Sequence, residues 1–237
     1  MMPGTLFLVP NLLGLVPPAD VLPARTIAIA RSLTHWVVES AKPARAFLKS
    51  LDPPQPIATL DMRELPARAE AAALAALLAP ARAGHDIGLM SDAGCPGVAD
   101  PGALLVAAAH DAGIRVVPLV GPSSLLLALM ASGMNGQSFA FHGYLPVAAA
   151  ERAAELRRLQ DESRTLRRAQ LFIETPYRNV AMIRSLGEWL RPTTQVCIAV
   201  DLTLPTEAIE RRTAAAWRKA DAARYAKRPA MFILEAY

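Results

Sequence analysis

Short apolar runs alternate with longer segments rich in helix-forming residues through the first half of the chain. The runs predict five strands, near Thr5–Val9, Trp36–Glu39, Ile57–Leu60, Ile87–Ser91 and Arg115–Leu119. Apolar and polar residues do not alternate within these runs, which is typical of strands covered on both faces of a mainly parallel sheet. Helices are predicted between most strands, including one over Ala67–Ala83, where alanine and leucine favour a helix that Gly84 can end.

The order of elements changes after Pro122. A helix over Leu125–Ala131 comes first, and further helices are predicted from about Ala149 and from Arg178. The strands of this half lie near Phe139–Gly143, Gln170–Glu174, Gln195–Val200 and Ala230–Ala236. The last strands have no full helix between each pair, so this half predicts a mixed sheet. We therefore expect an α/β fold of two α/β domains, with residues 1–120 around a mainly parallel sheet and residues 121–237 around a mixed sheet.

Composition narrows the class of protein. With 237 residues and 53% hydrophobic content, the chain can bury the cores of such domains. A net charge of +4 favours a polyanionic partner, although no long block of like charges forms a nucleic-acid-binding tail. Cys95 and Cys197 lie far apart and lack the spacing of metal ligands, so we expect neither a metal site nor a disulfide framework. This use of cysteine fits a protein of the reducing cytoplasm. No apolar run approaches the ~20 residues of a membrane helix.

The segment from Ser91 to Gly102 lies between two apolar runs and predicts a strand, a tight loop and a helix. Its three glycines permit positive φ or a close approach to a ligand, and Asp100 followed by Pro101 predicts the start of the helix. In open α/β sheets, ligands bind at the carboxyl ends of strands. The loop is therefore a candidate ligand cradle. The alternative is a turn without a ligand, in which Asp92 caps nearby amides.

Gly121-Pro122-Ser123 forms a second strand, loop and helix junction. Free amides at a helix N-terminus suit a carboxylate, although Ser123 is equally suited to be an N-cap. Ser132-Gly133, at the end of the same helix, is a weaker candidate, because such a pair also forms an ordinary C-terminal turn.

Five segments carry a resemblance to a known family. In chain order they read SDAGCPGVADPG, GPSS, ASG, FHGYLP and FIETPYRN, within residues 91–179. This order resembles the tetrapyrrole methylase superfamily, and within it the bacterial small-subunit ribosomal RNA cytidine 2′-O-methyltransferases. Five ordered motifs are far more specific than a lone glycine fingerprint.

The resemblance implies an S-adenosylmethionine-dependent methyltransferase, usually a homodimer, with the cofactor in a cleft between two α/β domains. It implies that the cofactor is bound by Ser91, Asp92, Ala93, Gly94, Gly121, Pro122, Ser123, Ser132, Gly133 and Phe172. The acceptor it implies is a ribose 2′-hydroxyl of ribosomal RNA.

Other motifs of that branch are only partly present. Its N-terminal TPIGNL and EDTR-like elements correspond to Val9–Gly14 and Val38–Lys42, and its ELTK element reads Asp201–Leu204. Two alternatives therefore stay open. One is a methyltransferase acting on a tetrapyrrole or another small molecule, and the other is a regulator that binds S-adenosylmethionine without catalysis.

Two groups of polar residues are candidates for the acceptor side. Glu174, Tyr177 and Arg178 follow an apolar strand, where they could bond a hydroxyl, stack on a base and hold a phosphate. The alternative is that Glu174 and Arg178 form an i, i+4 pair. Lys42 and Arg45 share one helix face and could bind phosphate or lower the pKa of the acceptor, or simply form a solvated face. A ribose hydroxyl is a poor nucleophile, and we name Glu174 and Lys42 as candidate catalytic groups.

Overall fold

The computed structural model describes residues 2–66 and 68–237. The chain divides into two compact units, Met1–Ser123 and Ser124–Tyr237. Each unit has its own sheet and its own buried core. None of the described helices is both long and apolar enough to cross a membrane.

The first unit is built on a five-stranded, entirely parallel sheet. Its strands are β1 (Thr5–Leu8), β2 (His35–Val38), β3 (Asp61–Glu64), β4 (Ile87–Met90) and β5 (Arg115–Pro118), in the spatial order β3-β2-β4-β1-β5. Its helices are α1 (Pro18–Val21), α2 (Ala24–Ser32), α3 (Ala41–Ser50), α4 (Ala71–Leu77), α5 (Ala79–Arg82) and α6 (Ala103–Asp111). The prediction of a mainly parallel first sheet is confirmed.

Two hydrophobic clusters explain why the strands read as continuous apolar runs. Leu6, Val37 and Leu89 belong to a cluster that includes residues of α4 and α6. Trp36 and Met90, neighbours of these residues along β2 and β4, belong to another cluster that includes residues of α2 and α3. Because successive strand residues point to opposite faces, both faces of the sheet are buried under helices.

Two sequence predictions in this unit need correction. Ile57–Thr59 is a 3₁₀ turn rather than a strand, and β3 begins only at Asp61. This edge strand is half-exposed and reads DMRE, so its polar sequence gave no strand signal. The expected helix over residues 67–83 is divided into α4 and α5, because Pro80 lacks the N–H that a continuous helix would need. Residue 67 lies outside the described residues.

The helix after the glycine-rich loop also begins later than predicted. Asp100 is not its N-cap: α6 starts at Ala103, and Gly102, with φ +137°, occupies the cap position without a side-chain hydrogen bond. Glycine tolerates this conformation, which is strained for other residues.

The second unit contains a mixed five-stranded sheet, as predicted. Its strands are β6 (Phe139–Tyr144), β7 (Ala169–Glu174), β8 (Gln195–Val200), β9 (Ala208–Thr213) and β10 (Ala230–Glu235), in the order β6-β7-β10-β8-β9. Only the β6–β7 pair is parallel. Its helices are α7 (Ser124–Ser132), α8 (Ala149–Leu166), α9 (Asn179–Trp189) and α10 (Ala214–Trp217). The sequence AIERRT of β9 is polar enough that no strand was predicted there.

The core of the second unit lies between its sheet and its helices. Phe172 and Phe232 stack at 5.5 Å between ring centroids, and Trp217 meets Tyr225 edge-on at the same separation. All four side chains are almost completely buried. Aromatic pairs in such geometries add to the stabilisation that burial provides.

Candidate active site

Polar side chains converge where β1, β2 and β4 end in the first unit. These three strands are neighbours in the order β2-β4-β1, and their carboxyl ends lead into adjacent loops. The residues concerned, here called the strand-end cluster, are Asn11, Glu39, Ser40, Ser91, Asp92 and Asp100. The carboxyl edge of a parallel sheet is where such folds bind their ligands.

Asn11 joins the first loop to the glycine-rich loop. Its side-chain Nδ2 donates to the carbonyls of Ser91, at 3.1 Å, and Asp92, at 2.9 Å. Its backbone N–H donates to the carbonyl of Gly94 at 2.8 Å, and its Oδ1 accepts from Leu12 N–H. The residue is 5% exposed, so these bonds satisfy a buried carboxamide. Sequence reasoning missed Asn11 as a site residue, although it lies in the Val9–Gly14 segment.

The neighbouring β2 loop holds Asp92 in place. Ser40 Oγ donates to Asp92 Oδ2 at 2.9 Å, and the backbone N–H of Asp92 donates to Glu39 Oε2 at 3.0 Å. The Asp92 side chain is therefore bound by a loop 52 residues away rather than by amides of its own turn. It remains exposed to solvent, so its carboxylate is available to a ligand.

Asp100 turns toward this cluster instead of capping α6. Burial raises the pKa of its carboxyl to about 6, and the negative charges of Glu39 and Asp92 add to this effect, while a hydrogen bond with Ser91 opposes it. Three carboxyl groups thus lie close together on the sheet edge. A cationic ligand would relieve their mutual repulsion.

The glycine-rich loop and the Gly121-Pro122 loop are also brought together. Gly94 has φ +66°, and Cys95 Sγ lies 3.5 Å from the carbonyl of Pro122. At Gly121, an added Cβ would lie 2.4 Å from Cβ of Pro10, a separation that real side chains do not show. Glycine is therefore required here for the β5 loop to pass beside the β1 loop.

A cavity of about 490 Å³ opens beside these loops. Its walls come from the β1 loop, one face of α3 and the start of the glycine-rich loop. The lining residues are Asn11–Pro17, Pro43, Ala46, Phe47, Ser50, Asp92 and Ala93. Mainly apolar walls with a few polar groups are typical of small-molecule sites.

Lys42 and Arg45 both lie on α3, whose Pro43, Ala46 and Phe47 line this cavity. Both side chains are exposed. Residues three and four apart lie on one side of a helix, so Lys42 is a neighbour of both Arg45 and Ala46. The predicted pair of cations therefore borders the helix face that forms the cavity wall.

In the second unit, Glu174 and Arg178 form the i, i+4 pair. Arg178 donates from Nε to Glu174 Oε1 at 2.8 Å, and its Nη2 lies 2.5 Å from the same oxygen. The backbone N–H of Thr175 donates to that oxygen at 2.6 Å. The Glu174 side chain is 1% exposed, against 30% for Arg178 and 82% for Tyr177 as a whole residue. Glu174 therefore positions Arg178 and is poorly placed to take a proton from a substrate.

Three residues of the second unit that were predicted to bind the cofactor, Phe172, Ser132 and Gly133, have structural roles. Phe172 is completely buried, its ring stacks on Phe232, and its strand is paired on both sides. Its side chain is therefore part of the core rather than of a ligand site. Ser132 Oγ donates to the carbonyl of Leu129 and accepts from Met134 N–H, and Gly133 has φ +64°. This is a helix C-terminal turn, the alternative considered from the sequence.

A family model described as Tetrapyrrole (Corrin/Porphyrin) Methylases matches residues 19–217. The chain belongs to the tetrapyrrole methylase family. Membership makes the protein a methyltransferase, and the predicted family is confirmed.

Among curated relatives of this tetrapyrrole methylase are proteins named Ribosomal RNA small subunit methyltransferase I. The one from Xylella fastidiosa is 33% identical over 201 residues, 85% of this chain and 69% of the relative. The one from Pseudomonas aeruginosa is 31% identical over 209 residues, 88% of this chain and 70% of the relative. The one from Mesorhizobium japonicum is 41% identical over 127 residues, 54% of this chain and 42% of the relative. These relatives are longer than the part that matches.

Solved structures share the fold of this tetrapyrrole methylase. The methyltransferase CobJ matches with a TM-score of 0.63 at 21% identity, over 97% of this chain and 93% of that chain. A uroporphyrin-III-C-methyltransferase from Thermus thermophilus matches with a TM-score of 0.57 at 18% identity, over 98% of this chain and 92% of that chain. At these identities the likeness shows the fold alone.

Proposed function

We propose that this methyltransferase transfers the methyl group of S-adenosylmethionine to a ribose 2′-hydroxyl of small-subunit ribosomal RNA. The observation that carries the proposal is the strand-end cluster, where Asp92 is fixed by Ser40 beside a largely apolar cavity of about 490 Å³. The names of relatives at 31 to 41% identity support ribosomal RNA as the acceptor.

The residues of the first unit suit the chemistry of S-adenosylmethionine. When bound, that molecule supplies an electrophilic methyl carbon on a positively charged sulfur. The exposed Asp92 carboxylate can accept hydrogen bonds from a hydroxyl or an ammonium group, and the acidic cluster around it favours a cation. The apolar walls suit an uncharged ring system.

We assign the loops of the first unit to the cofactor side. Ser91, Ala93 and Gly94 offer backbone groups next to Asp92, and Gly121, Pro122 and Ser123 form the adjacent loop. Their positions are held by Asn11 and by the close contact of Gly121 with Pro10. Rigid positioning of reactants can lower a reaction barrier by about 7–11 kcal/mol in favourable cases.

The basic residues are assigned to the acceptor. Lys42 and Arg45 would attract the phosphates of RNA, and a positive charge at Lys42 would favour the ionised form of a nearby hydroxyl. In the second unit, Glu174 holds Arg178 for a phosphate, and Tyr177 presents an exposed ring to a base. We also propose a cytoplasmic homodimer, in keeping with a ribosomal RNA acceptor and with the superfamily resemblance.

The test is methyl transfer from tritiated S-adenosylmethionine, with purified protein and ribosomal subunits from a strain that lacks the gene. We expect label in the RNA of the small subunit, removable by ribonuclease and retained in alkali-resistant dinucleotides, because a methylated 2′-oxygen cannot cleave the chain. Large subunits serve as the control acceptor. Label in a uroporphyrinogen substrate instead would contradict the assignment of RNA as the methyl acceptor. Binding of S-adenosylmethionine without any turnover would contradict the assignment of catalytic activity.

Asp92→Asn tests the cofactor side of this proposal. The change keeps the size of the side chain and its bond with Ser40, but it removes the negative charge. We expect the KM for S-adenosylmethionine to rise at least tenfold, with a smaller change in the KM for RNA. Asp52→Asn, an exposed aspartate of the same unit, is the matched control. An unchanged KM would remove Asp92 from the site.

A further inference from the structure

The positive charge of this protein is concentrated in its second unit. Residues 124–237 hold 16 of the 25 Lys and Arg residues and 11 of the 21 Asp and Glu residues, a net charge of +5. Residues 1–123 hold 9 basic and 10 acidic residues, a net charge of −1. An electrostatic attraction for a polyanion therefore originates from the second unit.

In the ion pairs at one end of the second sheet, the carboxylate side chain is more deeply buried than the arginine side chain that it binds. The side-chain exposures are 30% for Arg178 against 1% for Glu174, and 51% for Arg224 against 20% for Glu210. The pair of Arg228 with Asp201 follows the same order, at 23% and 10%. The buried carboxylates thus position the arginines, whose guanidinium groups are exposed at the surface.

The loops that carry these groups are tied to one another. Lys227 N–H donates to the carbonyl of Pro176 at 3.0 Å. The buried Asn179 donates from Nδ2 to the carbonyls of Tyr225, at 2.9 Å, and Arg228, at 2.7 Å. Arg228 itself bonds Asp201 and the carbonyl of Thr206. The two loops around Tyr177 and Lys227 therefore form one fixed surface, which reduces the ordering that a ligand must impose.

Two exposed tyrosines lie at this same end of the sheet. Tyr177 follows β7 and is 82% exposed, and Tyr144 ends the neighbouring parallel strand β6 and is 58% exposed. A register shift between Phe141 and Tyr144 places Tyr144 opposite Ile173, one position earlier than regular pairing would. Such bulges re-aim side chains. Exposed aromatic rings beside cations are the combination that stacks on bases and contacts phosphates.

We propose that Tyr144, Tyr177, Arg178, Arg224 and Lys227 form a platform that binds an unpaired stretch of RNA. The proposal rests on the proposed function, of which it specifies the substrate: the bases must be unstacked, because a duplex offers no free base face to a tyrosine. Arg178 bonds Glu174 through Nε and Nη2, so its Nη1 is outside the pair and can donate to a phosphate.

The platform is tested by fluorescence anisotropy with two labelled probes, a 12-nucleotide oligouridylate and a 12-base-pair RNA duplex. We expect the intact protein to bind the single strand at least tenfold more tightly. Tyr177→Ala lowers this affinity about 5- to 50-fold, while Tyr177→Phe retains it, since stacking needs the ring and not the hydroxyl. Tyr237→Ala is the matched control, because Tyr237 is also 82% exposed but lies beyond the other end of β10.

Charge is tested separately with Lys227→Gln, for which the exposed Lys219→Gln is the control. We expect Lys227→Gln to reduce the salt dependence of single-strand binding by about 0.7 in log–log slope, the value for one phosphate contact. Equal affinity for strand and duplex, or equal effects of Tyr177→Ala and Tyr237→Ala, would overturn the platform. Methyl transfer to ribosomal subunits tests the proposed function separately, because the enzyme can methylate RNA without this platform and the platform can bind RNA without methyl transfer.

Discussion

Replacing Asp100 with asparagine changes the pH dependence of stability in a direction that follows from its surroundings. The pKa of this carboxyl is raised from 3.8 to about 6 in the folded protein. Between these values the folded state binds a proton that the unfolded chain has lost. The free energy of unfolding therefore falls as the pH rises from about 4 to 6, and the loss persists at higher pH. Asparagine does not titrate, so the free energy of unfolding of Asp100→Asn does not fall over this pH range.

The magnitude follows from the displacement of the pKa. A change from 3.8 to about 6 corresponds to about 3 kcal/mol if it were expressed in full. Solvent reaches the half-buried carboxyl and screens its repulsion by Glu39 and Asp92, so we expect about 1–2 kcal/mol. Asp100→Asn is thus predicted to be more stable than the natural protein by that amount at pH 7.5 and nearly equal to it at pH 4.

Urea unfolding followed by circular dichroism at pH 4, 5, 6 and 7.5 measures this difference. Asp52→Asn is the control, because Asp52 is exposed and its left-handed conformation, with φ +51°, suits asparagine equally well. The reasoning is refuted if Asp100→Asn differs from the natural protein by the same free energy at pH 4 and at pH 7.5. The proposed binding of S-adenosylmethionine beside the cluster should also release up to about half a proton at pH 6, where this carboxyl is about half protonated, and calorimetry in two buffers detects the release.

Three other substitutions test the packing and the pairs described above. Gly121→Ala should lower the free energy of unfolding by about 1–3 kcal/mol, because its Cβ would overlap Pro10, and a loss no larger than that of Gly136→Ala, where the space is open, would contradict this. Asn11→Ala should cost about 2–3 kcal/mol in urea unfolding, since two carbonyls lose their buried donor, and a cost below 1 kcal/mol would count against that role. Glu174→Gln should raise the KM for RNA about tenfold with kcat within twofold, as expected of a positioning residue, whereas a hundredfold fall in kcat would restore it as the general base.

The sequence predicted the elements whose local pattern agrees with their burial. The strands β1, β2, β4 and β7 read as apolar runs because both faces of each are covered, and their ends were placed within a residue or two. The edge strands β3 and β9 are polar and half-exposed, so neither has this signature. Prediction from pattern depends on an apolar sequence, which these two edge strands lack, whereas the edge strands β5 and β6 contain apolar runs and were predicted.

The candidate site was predicted only in part for a different reason. Asp92, Gly94 and Gly121 lie in recognisable loops, but their partners come from distant segments. Asn11 bonds a loop 80 residues away, and Ser40 bonds one 52 residues away. Nothing in the local sequence of either residue indicates such a bond. The pairing follows from the sheet order, which places β4 between β1 and β2.

The bonds of Asn11 have a consequence for how the site opens. The side-chain carboxamide of Asn11 links residues 11–17, which line the cavity, to the loop that carries Asp92. Neither segment can detach without breaking the bonds of the other, so fluctuations there are cooperative. The hydrogen-bonded amides of Asn11, Leu12 and Asp92 should consequently show one common free energy of opening in hydrogen exchange, once intrinsic exchange rates are divided out, and a ligand that touches only one of the two segments should slow all three.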